Sequence, residues 1–192
     1  MTEKRAASLD ARDFERFVTF AKSFSPRSEI RVDEVPAPQK LAPFAFALTA
    51  DVALNEEEDI ATGRFVLLHD PSGQEAWEGT FRCVTFVRSA IEDELQSDPL
   101  MPEVGWSWFT EALQKEGAHA HAESGTVTRV ASASFGQLSV NDNSSEIEIR
   151  ASWSPDDGGE LDRHLQSWLT LLATAAGLAP IPEGVTSLPK RR

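Results

Sequence analysis

The sequence predicts an α+β fold: a single domain built on one mainly antiparallel sheet of about five strands, with helices packed on one face. Three observations carry this. Residues 62–88, TGRFVLLHDPSGQEAWEGTFRCVTFVR, place two β-branched and aromatic runs on either side of Asp70-Pro71-Ser72-Gly73, the chemistry of a tight turn, and so predict a β-hairpin. Two further runs alternate with period two: Phe44, Phe46, Leu48, Ala50, Val52 and Leu54 share one face, as do Ile147, Ile149, Ala151 and Trp153. Apolar residues recur at helical spacing near both ends and in the middle of the chain.

In chain order, Phe14, Phe17, Val18, Ala21 and Phe24 mark a helix that Ser8 or Asp10 caps and Ser25-Pro26 ends. An extended piece, EIRVDEV, then runs into Pro36, Pro38 and Pro43. A proline lacks the ladder donor, so this is an edge strand or a surface arm. The strand from Phe44 leads through an acidic turn, Asn55–Asp59, into the hairpin. RSAIEDELQ (88–96) is read as a short helix stopped at Asp98-Pro99. A second follows with Pro102 in its first turn, Val104, Trp108, Phe109, Ala112 and Leu113 on its apolar side, and Gly117 closing it. Residues 119–135 and EIEIRASW form two more strands joined through a turn at 141–144. A last helix carries Leu161, Leu165, Trp168, Leu169, Leu172 and Ala176, with Gly177 just past its end. The order is α-β-β-β-α-(α)-β-β-α over one domain, 1–192, with residues 1–7 and 189–192 as mobile ends.

Composition narrows the function classes. Hydrophobic residues at 41% are enough for one packed core in 192 residues. The 31 acidic against 18 basic side chains leave a formal charge of −13, which repels phosphate backbones and anionic membrane surfaces. No apolar run approaches a membrane span, and the first residues lack an apolar leader segment. Cys83, the single cysteine, falls mid-strand and reads as a buried core residue. These features point to a cytoplasmic protein.

The chain shows no nucleophile–base pair and no phosphate loop, and the sequence implies no cofactor. His119, His121 and Glu123 alternate so that a regular strand would turn all three to one side, a weak metal candidate whose alternative is a polar face. His69 lies beside the Asp70 turn without a serine or cysteine to complete a triad. Asp157-Gly158-Gly159-Glu160 and the acidic groups Glu56–Asp59 and Asp142/Glu146 are read as solvated loops rather than anion or calcium sites. Trp108, Trp153 and Trp168 sit on apolar faces. Trp77 and Trp106 do not, and are candidate anchors for a protein partner unless packed against the proline arm. Arg64, Arg82, Arg129 and Arg150 each lie within a strand. With Glu78, Glu146 and Glu148 they form an ion-pair ladder on the outer sheet face; without them, an arginine groove for an acidic peptide or small anion.

Several phrases carry a resemblance: Ala61-Thr-Gly-Arg-Phe-Val-Leu-Leu-His-Asp-Pro71, Val104-Gly-Trp-Ser-Trp108, Ser124-Gly-Thr-Val-Thr-Arg129, Glu148-Ile-Arg-Ala-Ser-Trp153, Leu41-Ala-Pro43 and Ala176-Gly-Leu178. Over nearly its whole length the chain resembles an uncharacterised actinobacterial family catalogued as domain of unknown function 3000. The resemblance implies a cytoplasmic protein and brings no activity, cofactor or catalytic residue. The element order is also similar to that of bacterial secretion-type chaperones, small acidic dimers that bind extended segments of other proteins.

Two functions follow as expectations. The first is a non-enzymatic protein-interaction module, an adaptor or chaperone-like domain, whose partner is another protein or a second copy. The second is a small-ligand binder or enzyme with a pocket between sheet and helices lined by Arg64, His69 and Arg82.

Overall fold

A computed structural model describes residues 2–53, 59–92, 95, 97–136, 144–156 and 158–180, with side chains described from Asp10 onward and that of Asp59 left out. Six strands form one sheet: β1 (Ile30–Val35), β2 (Phe44–Ala53), β3 (Asp59–Gln74), β4 (Gly79–Ala90), β5 (Ala120–Ser132) and β6 (Ser144–Pro155). Three helices accompany them: α1 (Thr2–Ser23), α2 (Met101–Glu116) and α3 (Leu161–Ala175). The strands lie in the order β1-β2-β3-β4-β6-β5, and every neighbouring pair is antiparallel. The sixth strand beyond the expected five is EIRVDEV, which pairs with β2 from Ile30↔Val52 to Val35↔Ala47 and forms one edge.

The alternation read in the sequence decides which side chains are buried. Phe46, Leu48, Ala50 and Val52 of β2, Phe65 and Leu67 of β3, Cys83 and Val87 of β4, and Ile147, Ile149 and Trp153 of β6 all join one core with residues of the three helices. Helix α3 lies at its centre. The Trp168 ring packs 5.6 Å from that of Phe65, over Gly63, where a Cβ would come within 3.1 Å of the indole nitrogen. Burial of this aromatic and aliphatic surface is the main stabilising term, at about 1.5–3 kcal/mol for each large side chain. Burial also pushes the Cys83 thiol well above its ordinary pKa, as expected of an inert core cysteine.

The ends of elements show where local signals and tertiary pairing part. Asp70-Pro71-Ser72-Gly73 does bend the chain: the Ser72 amide donates to Asp70 Oδ1 at 3.0 Å, and Gly73 has φ +72°. Yet it is not the hairpin tip. These residues bulge out of β3 opposite Thr80, because pairing jumps from His69↔Phe81 to Gln74↔Gly79. The reversal comes at the 3-10 turn Glu75–Trp77, closed by Glu78 at φ 55°. Helix α1 begins at Thr2, before the caps proposed at Ser8 or Asp10, since Glu-Lys-Arg-Ala-Ala are strong helix formers. β4 continues through Ala90, so Arg88, Ser89 and Ala90 of the predicted short helix are strand; much of the remainder, 93, 94 and 96, lies outside the described residues. So do Leu54, most of the turns 55–59 and 141–144, and the end 189–192. Gly117 and Gly177 follow their helices with φ +63° and +68°, the left-handed positions expected of them.

One buried contact makes stability depend on pH. Trp153 Nε1 donates to His164 Nδ1 at 2.9 Å, which requires that nitrogen to be unprotonated, and burial lowers the imidazole pKa from 6.5 to about 4. Above pH 6.5 the group is neutral in both folded and unfolded chains. Between 6.5 and about 4 the unfolded chain takes up a proton that the folded one refuses, so stability falls with pH in that window. Urea unfolding at pH 7 and pH 4 should show the unaltered chain losing about 2–3 kcal/mol more than His164→Gln, whose amide oxygen accepts the same bond without titrating. Equal losses would contradict this.

Candidate interaction surface

Among the described residues, no helix lies on the sheet's second face. The segment 36–43 crosses one corner, held where Arg64 Nη2 donates to the Pro36 carbonyl at 3.1 Å and Gln74 Nε2 to that of Leu41 at 3.5 Å. Beneath it lies a small second cluster, Ala47, Val66, Leu68 and Trp77, bordered by Val35, Ala37, Ala42, Ala45 and Val84. Beyond the segment no described element covers the face. Register puts Thr49, Arg64, Phe86, Arg150 and Thr126 in one row across five strands. The guanidinium of Arg150 stands over the Phe86 ring at 5.2 Å, a cation–π contact. Arg64, Val66, Val84, Thr85, Phe86 and Arg150 line a groove of about 420 Å³. Its floor is apolar and both flanks are cationic.

Arg82, two rows away on the same face, is 8% exposed and bonds only neutral oxygens. Its Nη1 donates to the Ala122 carbonyl at 2.9 Å and Ser154 Oγ at 3.1 Å, its Nη2 to Ser124 Oγ at 3.2 Å and Ser152 Oγ at 2.7 Å. Burial lowers its pKa. Ala122 is held at φ 51°, inside a bulge between His121 and Ser124 where β5 leaves register with β6. The guanidinium therefore staples the irregular part of the edge strand to the two strands beside it.

The other sequence candidates fall elsewhere. Trp77 is nearly buried, packed against the proline segment's cluster as the alternative reading had it. Trp106 packs on Phe109 at 4.9 Å on the helix side, above Gly125, whose absent Cβ would sit 2.6 Å from the indole. Arg129 also lies on the helix side, opposite Ile147, and donates to the Asp98 carbonyl at 2.7 Å. His69 is fully buried in a stack of Phe14, Phe44 and Phe81, the last at 4.4 Å. Its Nδ1 donates to the Thr80 carbonyl at 3.1 Å, while Nε2 has no partner among the described residues. Arg64 and Arg82 on one face and His69 on the other thus line no common pocket between sheet and helices.

The bulge also takes Glu123 out of alternation with the other two metal candidates. His121 Nδ1 pairs with Asp156 Oδ1 at 2.6 Å, a bond that raises its pKa, and His119 Nδ1 lies 3.7 Å from Glu160. Among the described residues no three His, Cys, Asp or Glu side chains gather at metal-binding distance. Of the acidic loops, Gly158–Glu160 is a 3-10 turn whose Gly159 carbonyl takes a bond from Arg16, Glu146 pairs with Arg88, and Asp157 and Asp142 lie outside the described residues. Of the expected ladder, Arg150 pairs with Glu148 at 3.1 Å along its own strand, while Glu146 pairs with Arg88, which lies outside the expected set. Sequence reasoning missed Phe86, Val66 and Val84. Their signal was present, since VLL in β3 and CVTFV in β4 place apolar residues on both faces of central strands.

Arg82→Met should destabilise the fold by about 2 kcal/mol, since bonds to a charged group are worth about 1.5–3 kcal/mol each, offset by relief of its desolvation. Hydrogen exchange should quicken at the amides of 122–126 and stay unchanged in the β2–β3 ladder. Uniform quickening along the sheet would show that Arg82 is no local staple.

None of the described helices is long and apolar enough to cross a membrane. Neither the curated proteins nor the solved structures give a match. A family profile does, described as a protein of unknown function (DUF3000) and covering residues 10–186, which include every described strand, α2, α3 and α1 from Asp10 onward. The chain belongs to the DUF3000 family.

Proposed function

We propose that this chain is a non-enzymatic, cytoplasmic protein-interaction domain, adaptor-like or chaperone-like, and that it docks its partner on the helix-free face of the sheet. One observation carries the reading: the half-buried Phe86 ring, set between Arg64 and Arg150 on an apolar floor and outside both buried clusters. Buried aromatic and arginine side chains are the residue types that dominate protein–protein binding energy. An antiparallel sheet with one open face normally shows polar side chains there. Here the central strands show the half-buried Val84 and Phe86 instead. The net charge of −13 disfavours nucleic acid and anionic lipid as the occupant.

A photo-crosslinking residue placed at Phe86, and separately at the exposed helix position Thr110, tests this in cells that make the protein. A discrete protein adduct is expected from position 86 and not from 110. Adducts from neither position, or equally from both, would contradict the proposal.

A further inference from the structure

Charge on the open face is unevenly compensated. At one end of the sheet, Arg31 bonds Asp51 at 2.9 Å and Asp33 at 3.4 Å, and Arg88 bonds Glu146. At the groove the pattern stops. Arg64 meets only the Pro36 carbonyl and Arg82 only neutral oxygens; neither forms an ion pair among the described residues. Arg150 shares Glu148 while keeping its guanidinium largely in solvent and over Phe86. A chain carrying 31 acidic side chains therefore leaves Arg64 without a carboxylate among the described residues, and Arg150 with Glu148 alone, on the two flanks of this apolar groove.

We infer that this groove binds an extended acidic segment of a partner protein, with carboxylates reaching Arg64 and Arg150 and an aromatic or branched aliphatic side chain laid on Phe86 between them. The inference rests on the interaction reading above and names its ligand chemistry. A free phosphate or other small anion fits poorly: the floor is Val66, Val84 and Phe86, and the terminal nitrogens of Arg82 are already engaged. A second copy docking face to face would bring arginines against arginines. The two flanking arginines stand on β3 and β6, two strand spacings or about 10 Å apart, a span of about three extended residues. The expected signature is therefore a pair of Asp or Glu two to four positions apart with one large apolar residue between them. Acidic and basic groups in such an arrangement form charge-assisted, often bidentate bonds, which give specificity as well as affinity.

Selection of an unbiased random-peptide display library on the full chain tests this, with counter-selection on the double variant Arg64→Glu/Arg150→Glu, its folding checked by circular dichroism. Enriched peptides should carry the acidic–apolar–acidic signature. A synthetic consensus peptide should bind the double variant at least tenfold more weakly than the unaltered chain and weaken with added salt. Arg64→Gln/Arg150→Gln, which keeps side-chain polarity, should give a smaller loss and keeps the test open if the charge reversal unfolds. Enrichment of neutral or basic peptides, no enrichment, or binding indifferent to both double variants would overturn the inference, as would self-association that the charge reversal abolishes. A crosslink from position 86 to a partner segment lacking acidic residues would overturn the ligand chemistry alone. The absence of both crosslink and enriched peptide would remove the docking proposal with it.

Discussion

The whole arrangement depends on one constraint: a six-stranded sheet has two faces, and the three described helices cover only one of them. Because side chains alternate along a strand, each central strand must satisfy two environments at once. β4 shows the consequence residue by residue. Phe81, Cys83 and Val87 enter the core against α1 and α3, while Arg82, Val84 and Phe86 face away from every helix. The core side is tight enough that a methyl group on Gly63 would press within 3.1 Å of Trp168 and that His164 is kept uncharged beneath Trp153. The open side is stabilised differently, by ion pairs toward one end, by the segment 36–43 at a corner, and by the Arg82 staple near the edge.

That asymmetry is what turns a packing description into a functional one. Apolar surface on the covered face contributes stability, and its identity is set by the core. Apolar surface on the open face gains nothing from the helices, so Phe86 and Val84 between two arginines call for a different explanation. Docking of a complementary chain is the one the charge pattern supports. It also accounts for the uncompensated Arg64 in a strongly acidic molecule, which a purely structural ladder does not.

Much of the fold was legible because burial imposes a period: β2 and β6 alternate cleanly, α3 carries its apolar stripe, and glycines mark two helix ends. Errors arose where one residue changes parity or where turn chemistry occurs inside a strand. The Asp70–Gly73 bend is correct locally, yet β3 resumes pairing at Gln74, so the reversal falls at Glu75–Glu78, which has no proline and only Gly79 after it. The bulge between His121 and Ser124 adds a residue to the edge strand, turning Arg129 to the helix side and taking Glu123 out of alternation with His119 and His121. No spacing rule announces such a bulge. Arg64 and Arg150 were found because a charged residue in a strand points outward, and their neighbours Val66, Val84 and Phe86 were missed because apolar residues on a central strand look alike from either face.

Adjacent positions on β4 offer the most direct measurement of this division. Under native conditions, a thiol reagent should leave Cys83 of the unaltered chain unlabelled, since it is fully buried on the helix side. In Val84→Cys the same reagent should add one label per chain while circular dichroism stays unchanged. Labelling of native Cys83, or protection of the thiol introduced at position 84, would show that the sheet is not covered on one face and open on the other.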